Sequence, residues 1–360
     1  MTQAAVLAQL GNTPLGMRNK IINGAMEIDQ RNAGASVTGA VGVVYSVDRF
    51  HIVSTAASKL TAQQSSTAPT GFSNSLLITS SSAYAVSSSD YFAIQQRIEG
   101  FNFSDLSWGT ANAKTVTLSF WVRSSLTGTF GGAFINSAND YGYPFTYTIS
   151  SANTWEQINI TVIGPTSGTW VGATNGIGVA VRFGLGVGST ASFTAGSWTN
   201  NTVWSATGAT SVVGTSGATF YITGVQLEVG SVATEFERRP YGTELALCQR
   251  YFYYYAVQID SETARGVAQS STTVFYNFNV PVPLRTTPTV VFAGYTGLRQ
   301  RGGGVNNTTT SLTINTVYYS SNSTLVSMYC TTTGNSGTTP YAIVLSSPDG
   351  TGYLTASAEL

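Results

Sequence analysis

The side chains in this sequence best suited to chemistry are aromatic rings and amides set close together in loops. Asn139-Asp-Tyr-Gly-Tyr-Pro-Phe145 places Asn139 and Asp140 beside Tyr141 and Tyr143 in a turn-rich stretch. Trp170, Trp198 and Trp204 stand in Gly- and Thr-rich stretches of the same style. Exposed Tyr and Trp rings stack on the apolar faces of pyranose sugars, while Asn, Asp and Gln supply a few placed hydrogen bonds. These seven residues are therefore the candidates for glycan contact. For any single ring the plainer alternative is a core or interface cap, and exposure separates the two.

Other chemistries find little support. His51 is the single histidine and follows Asp48-Arg49-Phe50 in a strand-like segment, where a satisfied strand histidine is the expected role. Neither a nucleophile elbow nor a Cys–His pairing is suggested locally. A zinc site needs more His or Cys than the chain has, and Gly184-Leu-Gly-Val-Gly188 neither opens a helix nor precedes a Lys. Asp29, Asp48, Asp90, Glu99, Asp105, Asp140, Glu156 and Glu228 are scattered rather than gathered in charged strand-end loops, so glycosidase chemistry is not expected. The reading is a protein that is no enzyme and needs no cofactor.

These candidates must be held by strands. Val116-Thr-Leu-Ser-Phe-Trp-Val122, Phe145-Thr-Tyr-Thr-Ile149, Glu156-Gln-Ile-Asn-Ile-Thr-Val162 and Gly178-Val-Ala-Val-Arg-Phe183 alternate with period two between Gly, Ser, Thr and Asn clusters. Long helical periodicity is absent from residues 21–238, which read as one sandwich or barrel. Residues 243–255 form the one fair helical window, with Leu245, Leu247 and Cys248 on its apolar face and the run Tyr251-Phe-Tyr-Tyr-Tyr255 after it. That run fills a strand or helix end at a domain interface. Residues 256–360 read as a second, smaller β domain, with strands at Val274–Val280, Thr289–Ala293, Ser311–Asn315, Thr324–Tyr329 and Tyr341–Leu345.

Bulk composition sets the limits. The chain has 360 residues, suited to two or three domains. Only 9% are charged, so solubility rests on Ser, Thr, Asn and Gly, and strand edges need closure or oligomerisation. Net charge is zero and no basic stripe exists, which argues against duplex nucleic acid as a partner. No apolar run approaches the ~18 residues of a spanning helix, so membrane insertion is not expected. Cys248 and Cys330 lie in different segments and are expected to be buried free thiols. Residues 1–20 read as an arm that orders against another protein through Val6, Leu7 and Leu10, with Pro14 and Gly16 as the hinge.

An ordered set of motifs carries a resemblance. Asn19-Lys-Ile-Ile-Asn-Gly-Ala-Met-Glu-Ile-Asp-Gln-Arg31 and Tyr45-Ser-Val-Asp-Arg-Phe50 open it. Gln95-Gln-Arg-Ile-Glu-Gly100, Thr117–Val122 and Ile222-Thr-Gly-Val-Gln-Leu-Glu-Val-Gly230 continue it, and Arg238-Arg-Pro-Tyr-Gly-Thr-Glu-Leu-Ala-Leu-Cys-Gln-Arg-Tyr251 ends it. The set resembles a recurrent module of tailed-bacteriophage tail fibres and related virion proteins. The region opening at Ile22 and closing at Leu227 is also similar to jelly-roll carbohydrate-binding modules. In those modules a structural calcium sits between the opening Glu and an acid of the closing strand. Glu27 matches the first ligand, but Thr223 and Gly224 stand where the acids are expected, so no metal is expected.

The resemblance implies an all-β fold, a jelly-roll sandwich over residues 21–238 and a second β-sandwich over 256–360, joined through the short helix within 239–255. It implies a homotrimeric virion structural protein assembled in the host cytoplasm. The reading is a compact tail fibre that binds host-surface polysaccharide without cleaving it, mounted on another virion protein by the arm. The alternative is a capsid cement or head-decoration protein with no sugar binding.

Overall fold

A computed structural model describes residues 17–256, 262–270, 272–293, 298–302, 305–309, 312–332, 341–346 and 352–360. The arm residues Val6, Leu7, Leu10, Pro14 and Gly16 lie outside the described residues. The chain forms two compact units, one up to Pro240 and one from Tyr241 to Glu359, with Leu360 grouped with the first. The fold is nearly all β, as the alternating segments require.

The first unit is a jelly-roll sandwich. Its strands are β1 Val37–Thr38, β2 Gly42–Tyr45, β3 His51–Ser54, β4 Leu60–Ser65, β5 Ser75–Ser80, β6 Tyr91–Glu99 and β7 Val116–Ser124. There follow β8 Gly128–Ile135, β9 Gly142–Ile149, β10 Glu156–Val162, β11 Ile177–Val187, β12 Ser192–Phe193, β13 Ser205–Ala206 and β14 Thr219–Val229. Among the described residues they make two six-stranded sheets, ordered β1-β4-β5-β14-β7-β10 and β2-β3-β6-β11-β8-β9. All pairs in these sheets are antiparallel. The alternation on β7 explains the layering: Val116, Leu118, Phe120 and Val122 are fully buried. They meet Phe92, Ile94, Phe130, Phe134, Val181 and Phe183 of the other sheet in one core. Each such side chain contributes roughly 1.5–3 kcal/mol by leaving water.

The motifs that carried the resemblance close this sandwich. Strand β14 lies in the middle of its sheet, between β5 and β7. Its register shifts between Thr223 and Gln226, where Gly224 has φ +61° and a Cβ would lie 2.7 Å from the Phe72 ring. Glycine is the residue that fits such a bulge. The N-terminal segment docks beside it. Asn19 donates to the Val225 carbonyl at 3.1 Å, and its side-chain oxygen accepts from the Ile21 and Leu227 amides. Glu237 accepts from the Arg18 and Asn19 amides, and Arg239 donates to Glu237 and to the Ile21 and Asn19 carbonyls. Gln96 pairs with both backbone groups of Ile22, at 2.9 and 2.8 Å. The motif polar residues thus satisfy backbone that no strand pairs.

The short helix expected within 239–255 is present. A helical turn, α1 (Gly100–Phe103), sits in the first unit, and α2 spans Tyr241–Gln249. Residues 250–255 do not continue the helix: Phe252–Ala256 form strand β15. Consecutive aromatics favour a pleated surface, and alternation sends Tyr253 and Tyr255 toward the core of the second unit. The remaining strands are β16 Glu262–Ala268, β17 Thr273–Asn279, β18 Thr289–Ala293, β19 Leu298–Gly302 and β20 Val305–Thr309. They end with β21 Leu312–Tyr318, β22 Leu325–Thr332, β23 Tyr341–Ser346 and β24 Tyr353–Ser357. Among the described residues the second unit has a sheet β15-β24-β18 and a sheet β20-β19-β23-β16-β17-β22-β21. Cys248 and Cys330 are buried free thiols, and burial pushes the Cys330 thiol up to about 12. No helix among the described residues is long and apolar enough to cross a membrane.

Candidate functional site

The register of the first unit brings several loops to one end of the sandwich. Val116 pairs with Val162, Ile135 with Gly142, Ile135 also with Ala180, and Glu99 with Ile177. The β6–β7, β8–β9 and β10–β11 connections therefore emerge together. The β12–β13 connection joins them through a two-way backbone bridge between Gly142 and Thr199, at 3.0 and 2.9 Å.

Four of the five predicted rings meet there. Tyr141 stacks on Trp198 with centroids 5.6 Å apart and planes 10° from parallel. Trp170 stands nearly perpendicular to Trp198 at 5.6 Å, and Tyr143 tilts against Trp198 at 5.2 Å. All four are half-buried. Beneath them lies a ring the sequence did not single out. Trp108 is buried and meets Trp170 at 5.0 Å and Trp198 at 5.2 Å, with Phe103 beside it. Its setting, Ser107-Trp-Gly-Thr-Ala-Asn112, has the same small-polar signature as the other Trp loops.

The rings are pinned by their polar edges. Trp170 donates its indole N–H to the Ser167 carbonyl, Trp198 to Ile163, and Trp108 to Lys114, at 3.1, 2.9 and 2.8 Å. The Tyr141 hydroxyl lies 2.9 Å from the Ser167 hydroxyl. Gly168 packs against the Tyr141 ring with φ +87°, and a Cβ there would sit 2.6 Å from Cδ1. With the N–H groups spent, the indoles present only their faces and edges. Ile163, 75% exposed, extends the apolar surface beside Trp198.

A groove of about 450 Å³ opens next to the cluster, lined by Phe103, Ser107, Trp108, Thr110, Asn112 and Trp170 among others. The predicted polar partners do a different job. The Asn136 side chain donates to Asp140 at 2.6 Å and accepts from the Asp140 and Tyr141 amides. Asn139, at φ +58°, accepts from Arg182 and, through its carbonyl, from the Thr202 hydroxyl. Asn139 and Asp140 are exposed, yet these bonds make them organisers of the β8–β9 turn.

Trp204 is a correction. It is 7% exposed and stacked flat on Tyr91 at 3.9 Å, and the Arg182 guanidinium lies 3.6 Å from its ring centroid. With those neighbours it has no face for a sugar. The pair sits on the outer side of the β2-β3-β6 sheet, where burial draws the Arg182 pKa down to about 9, with Arg97 adding repulsion. His51 is buried there too, 3.2 Å from Gln95, and burial followed by Arg97 lowers it to about 3. A neutral, buried imidazole of this kind is structural.

The carboxylates serve turns. Asp90 accepts from the Ser87 amide, Thr55 and Tyr84, and the Ser87 amide above all holds it down to about 2. Glu156 caps the Ser150 and Ser151 amides, Asp48 accepts from Gln30, and Asp105 pairs with Lys20 at 2.8 Å. Glu27 is half-buried, and no group of three or more His, Cys, Asp or Glu that could hold an ion occurs among the described residues.

No protein-family model matches the chain, and comparison with curated proteins finds no match. Solved structures of low similarity exist. The enzymatically active domain of bacteriophage CBA120 tailspike protein 4 is 12% identical over 59% of this chain, with a TM-score of 0.29. The match spans 22% of that tailspike chain. A family 11 carbohydrate-binding module of Clostridium thermocellum, in complex with a β-1,3-1,4-mixed-linked tetrasaccharide, is 13% identical. There the match covers 54% of this chain and 100% of the module, with a TM-score of 0.29. The module TmCBM61, in complex with β-1,4-galactotriose, is 9% identical over 59% of this chain and 99% of its own, with a TM-score of 0.31. Likeness at this level assigns no ligand or partner to this chain.

Proposed function

We propose that the first unit binds a surface polysaccharide without cleaving it. The observation that carries this is convergence: Tyr141, Trp170 and Trp198 from three separate loops, with Tyr143 from the start of β9, meet half-buried beside a groove with amide and hydroxyl side chains. Rings held by their polar edges are preorganised, so stacking costs little further ordering. The carboxylates engaged in turns support binding rather than hydrolysis. We further propose that the protein is a compact virion fibre, a homotrimer mounted by its arm, a reading supported by the ordered motifs between Asn19 and Tyr251. The virion would then apply several weak sites at once.

Electrophoresis through native gels containing bacterial lipopolysaccharide or capsular polysaccharide tests the binding step. The wild type is retarded in at least one, and Trp170→Ala migrates as in plain gel. Unretarded wild type in all of them favours the scaffold alternative, in which the same rings pack on a neighbouring subunit or capsid lattice.

A further inference from the structure

We infer, resting on the sugar-binding reading, that the groove beside Trp170 selects an uncharged stretch of glycan, and that Asn112 is its specificity-determining contact. The lining side chains are Phe103, Trp108, Trp170 and Val171 with Ser104, Ser107, Thr110 and Asn112, and none of them is charged. A uronate or phosphate entering such a wall would lose hydration without gaining a counter-charge, which is costly. Asp105 on the neighbouring turn is already paired with Lys20. Lys114, whose carbonyl holds Trp108, does not line the groove.

Of the polar side chains of the 107–112 turn, Ser107 is half-buried with one small hydroxyl, while Thr110 and Asn112 are exposed. Thr110 donates to the Ser107 carbonyl at 2.7 Å and accepts from the Asn112 amide at 3.1 Å, so its hydroxyl is spent shaping the turn. The Trp108 and Trp170 N–H groups are spent on carbonyls. Asn112 is exposed, and its carboxamide makes no hydrogen bond to any described residue. One planar amide offers a donor and an acceptor side by side, which matches two neighbouring hydroxyls of a sugar ring. Trp170 supplies the apolar wall on which that ring stacks.

The test is titration calorimetry of the full chain against neutral polymers (mixed-linked β-glucan, xylan, β-1,4-galactan, mannan) and acidic ones (alginate, polygalacturonate). The inference expects binding to at least one neutral polymer. It expects affinity unchanged within about twofold between low and high salt, since screening acts only on charge. Asn112→Ala and Asn112→Asp should each weaken it about tenfold with an unchanged melting temperature, and Trp170→Ala should abolish it. Binding confined to the acidic polymers, or neutral binding indifferent to Asn112, overturns this inference and leaves the sugar-binding reading standing. Binding to none of these polymers overturns this inference, and the sugar-binding reading falls with it only where the lipopolysaccharide and capsular gels also leave the wild type unretarded.

Discussion

At the residue scale, Gly168 decides where Tyr141 can lie. Its φ of +87° and the 2.6 Å that a Cβ would leave to the ring make any side chain a wedge under the Tyr141–Trp198 stack. Gly168→Ala should cost about 1–2 kcal/mol of stability from backbone strain, and should weaken polysaccharide binding several-fold by displacing the ring. Urea midpoints and gel retardation read the two effects separately. His51 makes a pH prediction. Its folded pKa lies near 3, below the ordinary 6.5, so between those values the unfolded chain takes a proton that the folded chain refuses. Stability is complete above about pH 6.5 and falls, by a few kcal/mol in all, as pH drops toward 3. His51→Gln should flatten much of that acid slope in melting curves from pH 7 to 4, though it carries its own packing cost. The aromatic signature named Tyr141, Tyr143, Trp170 and Trp198, rings that the fold gathers at one end. It passed over Trp108, which has the same signature, and included Trp204. The stack on Tyr91 and the Arg182 contact are made between strands far apart in sequence, where no local pattern records them.

At the element scale, the closing strand explains the motifs. Asn19, Gln96, Gln226, Glu237 and Arg239 bond backbone groups of β14 and of the segments docked beside it. Glu237→Ala leaves the Arg18 and Asn19 amides and the Arg239 guanidinium short of a partner. It should cost about 1–3 kcal/mol in a urea midpoint, with sugar binding unchanged because the network lies on β14 and its flanks. Period-two strands were readable where one face is buried: Glu156–Val162 and Thr289–Ala293 match the observed β10 and β18 in full. The stretch 243–255 was not, because Leu245 and Cys248 carry helical spacing up to a run of rings that pairs with β24 instead. Helix and strand signals abut at Arg250, and only the partner strand decides between them.

At the scale of the whole molecule, 9% charge and long sheets make assembly the natural cover for strand edges. Light scattering should give about three times the 37.8 kDa chain mass at micromolar concentration, and a stable monomer would contradict the trimer proposal. On the virion proposal, removing residues 1–16, which spares the Arg18 contacts to Glu237 and Glu228, should leave folding and sugar binding intact while the protein fails to join virions, which immunoblots of purified particles would show. On that proposal a single site is expected to bind with a Kd of about 0.1–1 mM, roughly 4–5.5 kcal/mol, and attachment would depend on several copies acting together. The central claim is that the sandwich end around Trp170 and Trp198 meets the glycan. The most direct measurement follows the six tryptophan indole N–H resonances of the 15N-labelled protein during titration with the polysaccharide that retards it. The account predicts saturable shifts for Trp170 and Trp198 while Trp204 stays still; shifts confined to Trp204 or Trp155, or no shift at any indole, would contradict it.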